Sequence, residues 1–219
     1  MVNSGKSSKV KGNNSFPPLT NDIADILNEA YHKYHNRSFI NHDPIQVPHS
    51  FSKKENIEIT AFLTSSIAWG NRNMIIKNGF KLTKLLGNDP LDFIMNATKN
   101  DIDKLDGFVH RTINISDLHF FLHSLQNIYK NKGGLEAVFT KPYRKSRSIF
   151  DGINGFRKVF MQVKHDASSE RHISNPEKNS AAKRLNLFLM WMVRNDKYGI
   201  HFGLWKNISQ SDLLIPLNS

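Results

Sequence analysis

Cysteine is absent from the 219 residues, which excludes disulfides and thiolate metal sites. No apolar run reaches the length of a membrane span, so no bilayer-crossing segment is expected. The basic start, MVNSGKSSKVKGNNS, is followed by no apolar stretch and is not read as a signal peptide. With no case for secretion, a cytoplasmic protein is the expectation. Glycine nowhere forms a phosphate-binding fingerprint behind a strand, so nucleotide-loop folds drop out. Convincing apolar–polar alternation is missing too, which removes half-buried strands. Acid is also short, with 19 Asp and Glu against 30 Lys and Arg and a net charge of +11.

Hydrophobic residues make up 39% of the chain and 15 are phenylalanine, enough for a packed core. The excess charge is unevenly placed. Residues 1–15 carry Lys6, Lys9 and Lys11 with no acid, and residues 141–184 carry 11 Lys and Arg against four acids. Such clustering points to a polyanionic partner, nucleic acid being the commonest, or to a merely soluble basic surface.

The chain reads as all-α. Residues 1–18 are expected to be a disordered basic tail, and residues 19–219 one domain. Two lobes are indicated, about 36–140 and 20–35 with 141–219. Ile23, Ile26, Leu27, Ala30, Tyr31 and Tyr34 form an amphipathic stripe on a first helix. Residues 36–51 are an irregular connector because Pro44 and Pro48 both interrupt it. Ser52 and Glu55 suggest a capping box for a helix through Ala68, and Asn71 a cap for the next, closed by Gly87. Asp89-Pro90 starts a fourth helix, and a short fifth surrounds Ile102. Residues 108–113 are read as a loop. Asn114 or Ser116 caps a strong helix through Tyr129, Lys141–Ser148 is a basic connector, and Ile149–Val163 is another amphipathic helix. Ser209–Asp212 begins one more helical turn.

Ser174–Val193 reads as the central buried helix, entered through Asn175 and Pro176 and apolar on all sides from Leu187 to Val193. Lys183 lies in it at the edge of the expected core. There, reduced hydration would make it a candidate amine nucleophile, unless it reaches solvent or a phosphate.

Metal binding finds little support. His42-Asp43 and His165-Asp166 lie in loops, and His119 and His123 lack the glutamate of the zinc-protease pattern, so neither metal nor another cofactor is expected. Trp69, Asn71 and Arg72 combine a stacking surface, an amide and a guanidinium, as enzymes acting on an extruded base require. The plainer alternative makes Trp69 core and Asn71 a helix cap. His110 and Arg111 form a second polar cluster. Lys141, Arg144, Lys145, Arg147, Lys164, Arg171, His172 and Arg184 suit contacts to a nucleic-acid backbone, with DNA favoured.

The segments NHDPIQVPHSFSKKENIEI, AWGNRNMII, FVHRT with the following Ser116-Asp117-Leu118, and NSAAKRLNLFLMWMVRNDKYGIHFGLW resemble an uncharacterised bacterial family, domain-of-unknown-function family 2400. That family is more distantly similar to the helix-hairpin-helix DNA glycosylases. The second resemblance implies a two-lobed, multi-helix bundle of that fold and a role related to base-excision repair. It also implies a wedge at Trp69–Arg72 and a nucleophilic amine at Lys183. Two departures stand out. Glu177-Lys178-Asn179-Ser180 has no glycine where the hairpin should be. Asn218 occupies the catalytic aspartate position, one residue before the chain stops, which suggests C-terminal truncation and weak or no glycosylase activity. A helical protein-interaction module with a basic surface is the competing expectation.

Overall fold

The computed structural model describes residues 21–215. The expected tail over residues 1–18 and the segment from Pro216 through Asn218 to Ser219 lie outside the described residues. Among those described, all regular structure is helical, with one isolated bridge between His110 and Ile113. No described helix is long and apolar enough to cross a membrane.

The chain divides into two compact units, before and after the His35–Asn36 junction. The first contains α1 (Asn21–Tyr34), whose stripe of Ile23, Ile26, Leu27, Tyr31 and Tyr34 is exposed. The sequence suggested that residues 20–35 join a lobe with 141–219. Within the second unit the buried core draws on residues from Ile45 to Ile208.

In the second unit three short 3-10 turns, Arg37–His42, Pro44–Gln46 and Pro48–Ser50, take the place of the irregular connector. Each proline starts a turn because its fixed φ suits the first position and its missing N–H is not needed there. Next comes α2 (Lys54–Ser66), buried continuously from Asn56 to Ser66. Two of its buried hydroxyls are satisfied within the helix. Thr60 Oγ1 donates to Asn56 O at 2.7 Å, and Ser65 Oγ to Phe62 O at 3.0 Å. Lys53 stands at its N-cap without a side-chain hydrogen bond, so the Ser52–Glu55 box does not form.

Around α2 stand α3 (Arg72–Leu86), α4 (Pro90–Asn96), α5 (Lys99–Asp103), α6 (Ile115–Asn131), α7 (Gly134–Ser146), α8 (Ile149–Phe160) and α9 (Lys183–Val193). Asn71 caps α3 and Asp89 caps α4, while α6 carries a reciprocal box of Asn114 and Asp117. Phe62 of α2 meets Phe156 and Phe160 of α8 at 5.5 Å and Phe188 of α9 at 5.7 Å, ring centre to ring centre. Such edge and tilted contacts add to the area each ring buries.

Two expected elements differ. Lys141–Ser146 is the last part of α7, with Pro142 inside the helix, rather than a connector. A Cβ at Gly155 of α8 would collide with the Pro142 ring, so that glycine makes room for it. The helix expected from Ser174 begins only at Lys183. Before it lie a 3-10 turn at Pro176–Lys178 and left-handed Asn179 and Ala182, with φ of 60° and 46°.

Beyond α9 the chain folds back, and Phe202 N donates to Trp191 O and Trp205 N to Met192 O. Asp196 holds this return, accepting from the N–H groups of Tyr198, Ile200 and His201 and from His201 Nδ1, at 2.9 to 3.2 Å. Burial opposes its ionisation, but these donors together outweigh that and keep its pKa well below the usual carboxylate range. A depressed folded pKa adds stability that is complete above the unfolded value near 3.8 and is lost as pH falls through the folded one. Asp196→Asn should therefore cost about 2–3 kcal/mol at neutral pH, and the cost should shrink as urea midpoints are measured toward pH 2. An undiminished cost at pH 2 would rule out the charge as its source.

Candidate functional site

Two tight turns and two helix ends meet at Trp69. The first turn follows α2, where Trp69 is half-buried and Gly70 takes φ +97°. The second is the chain reversal at His110–Ile113, closed by reciprocal backbone hydrogen bonds of 2.9 Å with Arg111 left-handed at its tip. These turns touch through Arg111 and Gly70. A Cβ at residue 70 would lie 2.7 Å from Arg111 Nη1, so only glycine leaves the guanidinium its place.

Arg184, in the first turn of α9, lies over the Trp69 ring with Cζ 4.5 Å from its centre. It donates to Ser66 O at 2.6 Å and His172 O at 3.1 Å. Burial lowers its pKa, yet a guanidinium keeps its charge at neutral pH. Arg171 donates to Thr112 O at 3.4 Å, which adds a third arginine beside the Arg111 turn. Lys183, the first residue of α9, is exposed next to Arg184. The position at the edge of the core that would have reduced its hydration is not where the structure puts it, because the helix starts at Lys183.

The helix end sharpens the charge. Ala182 offers α9 no side-chain cap, and its first turn contains no acid. Two cations at the positive end of a helix dipole are locally unfavourable, the reverse of what helix stability selects. The left-handed backbone expected of a glycine is present at Asn179 and Ala182 even though no glycine stands there. Asparagine tolerates that region, whereas alanine is held there at a cost of roughly 1–2 kcal/mol.

Both histidines expected from the sequence as nucleic-acid contacts, His110 and His172, are buried. His110 lies edge-on to Trp69 at 5.6 Å, with Nδ1 2.8 Å from Asn78 Nδ2. Burial lowers its pKa, against the pull of the Trp69 carbonyl. His172 Nε2 lies 3.3 Å from Asp117 Oδ2, and Ser169 Oγ donates to Asp117 Oδ1 at 2.5 Å. Burial lowers the His172 pKa too, against the charge of Asp117. These pairs form the floor that holds the two turns and the Ala167–His172 segment together. Asp117, Ser169, Asn78 and Gly70 carry this support and were missed as site residues. The Asn114–Asp117 capping pattern was the one available signal, and it gave no hint of burial.

Asn71 spends its Oδ1 on Met74 N at 3.1 Å, as the capping alternative held, while Arg72 is exposed near Asp43. The α7 cations lie elsewhere. Arg144 donates to Asn207, Arg147 pairs with Asp212 at 3.3 Å, and Lys141 and Lys145 are exposed on the same stretch. Glu136 of α7 meets Lys54 at the start of α2, whereas Trp69 follows its end, about 18 Å away by helical rise. No described hydrogen bond, ion pair or ring contact joins this group directly to the Trp69 cluster. Lys164 lines a cleft beside α6. Among the described residues no group of three or more His, Asp or Glu is placed to hold a metal.

A family model described as protein of unknown function (DUF2400) matches residues 43–219. No curated protein and no solved structure matches the chain.

Proposed function

The chain belongs to this family of unknown function, and from its site we propose that it binds nucleic acid, DNA in the first place, through the Trp69 cluster. One observation carries the reading. Arg184 covers the half-buried Trp69 indole, Arg111 packs against the adjoining Gly70 and Arg171 reaches Thr112 O of the Arg111 turn, and no carboxylate among the described residues lies within ion-pair distance of any of the three. Of the other arginines, Arg157 pairs with Glu170 and Arg147 with Asp212, while Arg37, Arg72, Arg144 and Arg194 make no ion pair among the described residues and are not gathered in this way. Gathering uncompensated guanidinium groups costs electrostatic energy that an external anion would recover. Phosphate suits them by geometry, and a partly open indole suits a base.

The finer reading is a glycosylase-like protein of the helix-hairpin-helix type. It is supported by Lys183 beside Arg184 at an uncapped helix start and by the glycine-like backbone of the preceding turn. Lys183 would then be the amine. Asn218 stands where an aspartate is needed to ionise, so base excision is expected to be weak or absent.

Fluorescence anisotropy with labelled single-stranded and duplex DNA tests the binding. Affinity should fall linearly in a log–log plot against salt, with a slope of about −0.7 to −0.9 per phosphate contacted. Arg111→Ala and Arg171→Ala should each reduce that slope by about one such contact. No binding to DNA or RNA at low salt would sink the proposal in favour of a basic protein-interaction surface. Borohydride trapping on abasic DNA that survives Lys183→Ala would remove Lys183 as the amine.

A further inference from the structure

A second basic feature lies outside the Trp69 cluster. α5, α6 and the loop 163–166 enclose a cleft of about 620 Å³. Lys99, Lys130 and Lys164 line it from three separate segments, and none has a carboxylate within ion-pair distance among the described residues. Three imidazoles share the lining, each oriented through a ring nitrogen, and His165 Nε2 also lies 3.8 Å from Glu170 Oε1. His119 Nε2 lies 2.9 Å from Leu105 O, His123 Nε2 2.9 Å from Asp103 Oδ1, and His165 Nδ1 2.5 Å from Val163 O. The His165 ring is further fixed by stacking on Phe120, centre to centre 4.3 Å.

Asp103 and Asp166 also line the cleft, but Asp103 is engaged by His123. The lysines therefore outnumber the acids, three to two, before any imidazole is protonated. Ammonium groups converging on one concavity favour a single compact dianion over the singly charged, evenly spaced phosphates of a polynucleotide. The volume is that of a small-ligand site, and the carboxamides of Asn127 and Asn131 border it with donors and acceptors for a polar ligand.

We propose that this cleft binds a phosphate monoester of nucleotide size, with Lys99, Lys130 and Lys164 holding the phosphate. The site is separate from the Trp69 cluster and does not depend on DNA binding there. It also reassigns Lys164, which the charge pattern alone places on a nucleic-acid backbone.

Isothermal titration of the full chain with AMP, adenosine and inorganic phosphate at low salt tests the assignment. AMP should bind with a Kd below about 1 mM, and adenosine and inorganic phosphate at least about tenfold more weakly. Lys130→Ala and Lys164→Ala should each weaken AMP about tenfold or more while leaving DNA affinity unchanged, and Arg111→Ala should leave AMP unchanged. All three residues are exposed, so folding is expected to persist, and circular dichroism checks it. Absent AMP binding overturns the proposal, as does binding insensitive to the lysine variants or matched by inorganic phosphate. Lys130→Ala lowering DNA affinity as much as Arg111→Ala also overturns it, because the cleft would then belong to a nucleic-acid track. Loss of DNA binding alone would defeat the Trp69 reading and leave this one standing.

Discussion

Glu58→Ala should lower the unfolding free energy by about 3–5 kcal/mol, as removal of one partner from a buried polar network does. Glu58 lies in the middle of α2 at 2% exposure. One carboxyl oxygen accepts from Trp205 Nε1 and the other from Tyr129 Oη, each at 2.7 Å. Truncation would leave the indole and the phenol without their acceptor and open a gap where α2, α6 and the chain return after α9 meet. Glu58→Gln keeps the shape and one good acceptor, so about 1–2 kcal/mol is expected.

The pH dependence separates charge from packing. Burial raises the Glu58 pKa above its ordinary 4.5, against the hydrogen bonds from Tyr129 and Trp205. Between the unfolded and the raised folded value the native state holds the extra proton, so its contribution to stability falls as pH rises through that window. Urea midpoints measured from pH 4 to pH 8 should therefore decline less steeply for Glu58→Gln than for the parent chain. Identical slopes would show that the carboxyl does not titrate differently in the folded protein.

Arg184→Ala should weaken DNA binding by about tenfold to a hundredfold, and stability should drop by roughly 2–3 kcal/mol at the same time. The guanidinium does two jobs that no other side chain at the cluster combines. It ties Ser66 O at the end of α2 to His172 O beside Asp117, and it covers the Trp69 ring. Arg184→Lys keeps a charge but cannot fork to two carbonyls and lie flat on an indole, so most of the affinity should be lost with it. Anisotropy run well below the variant's melting temperature separates binding from unfolding. A folded Arg184→Ala protein that binds DNA like the parent would remove Arg184 from the interface.

Much of the secondary structure could be read locally because its determinants are local. Asn71 and Gly87 bound α3, Asp89-Pro90 opens α4, and Asn114 with Asp117 starts α6. The apolar run from Leu187 to Val193 does bury its Phe188, Leu189, Trp191, Met192 and Val193. α2 is the more central helix, although its Asn, Glu, Thr and Ser residues disguise this. Thr60 and Ser65 turn to backbone carbonyls about one turn back, whereas Asn56 and Glu58 find partners far along the chain, at Leu91 and at Tyr129 and Trp205. Lys141–Ser146 was misread for a related reason. Proline argues against a helix interior, yet Pro142 stays within α7, and its ring packs where Gly155 of the neighbouring α8 has no side chain.

The amino-acid sequence by itself determined an all-helical chain, most helix boundaries, and an inventory of cations in excess of acids. Those properties follow from periodicity, caps and composition, which act over a few residues. Only the tertiary structure decided which cations belong together. It set Arg111 against Gly70, put Arg184 over Trp69, buried His110 and His172 beneath them, and sent Arg144 and Arg147 to Asn207 and Asp212. Such choices depend on packing between residues far apart in the chain, where one absent Cβ or one buried carboxyl determines whether a charge has a partner.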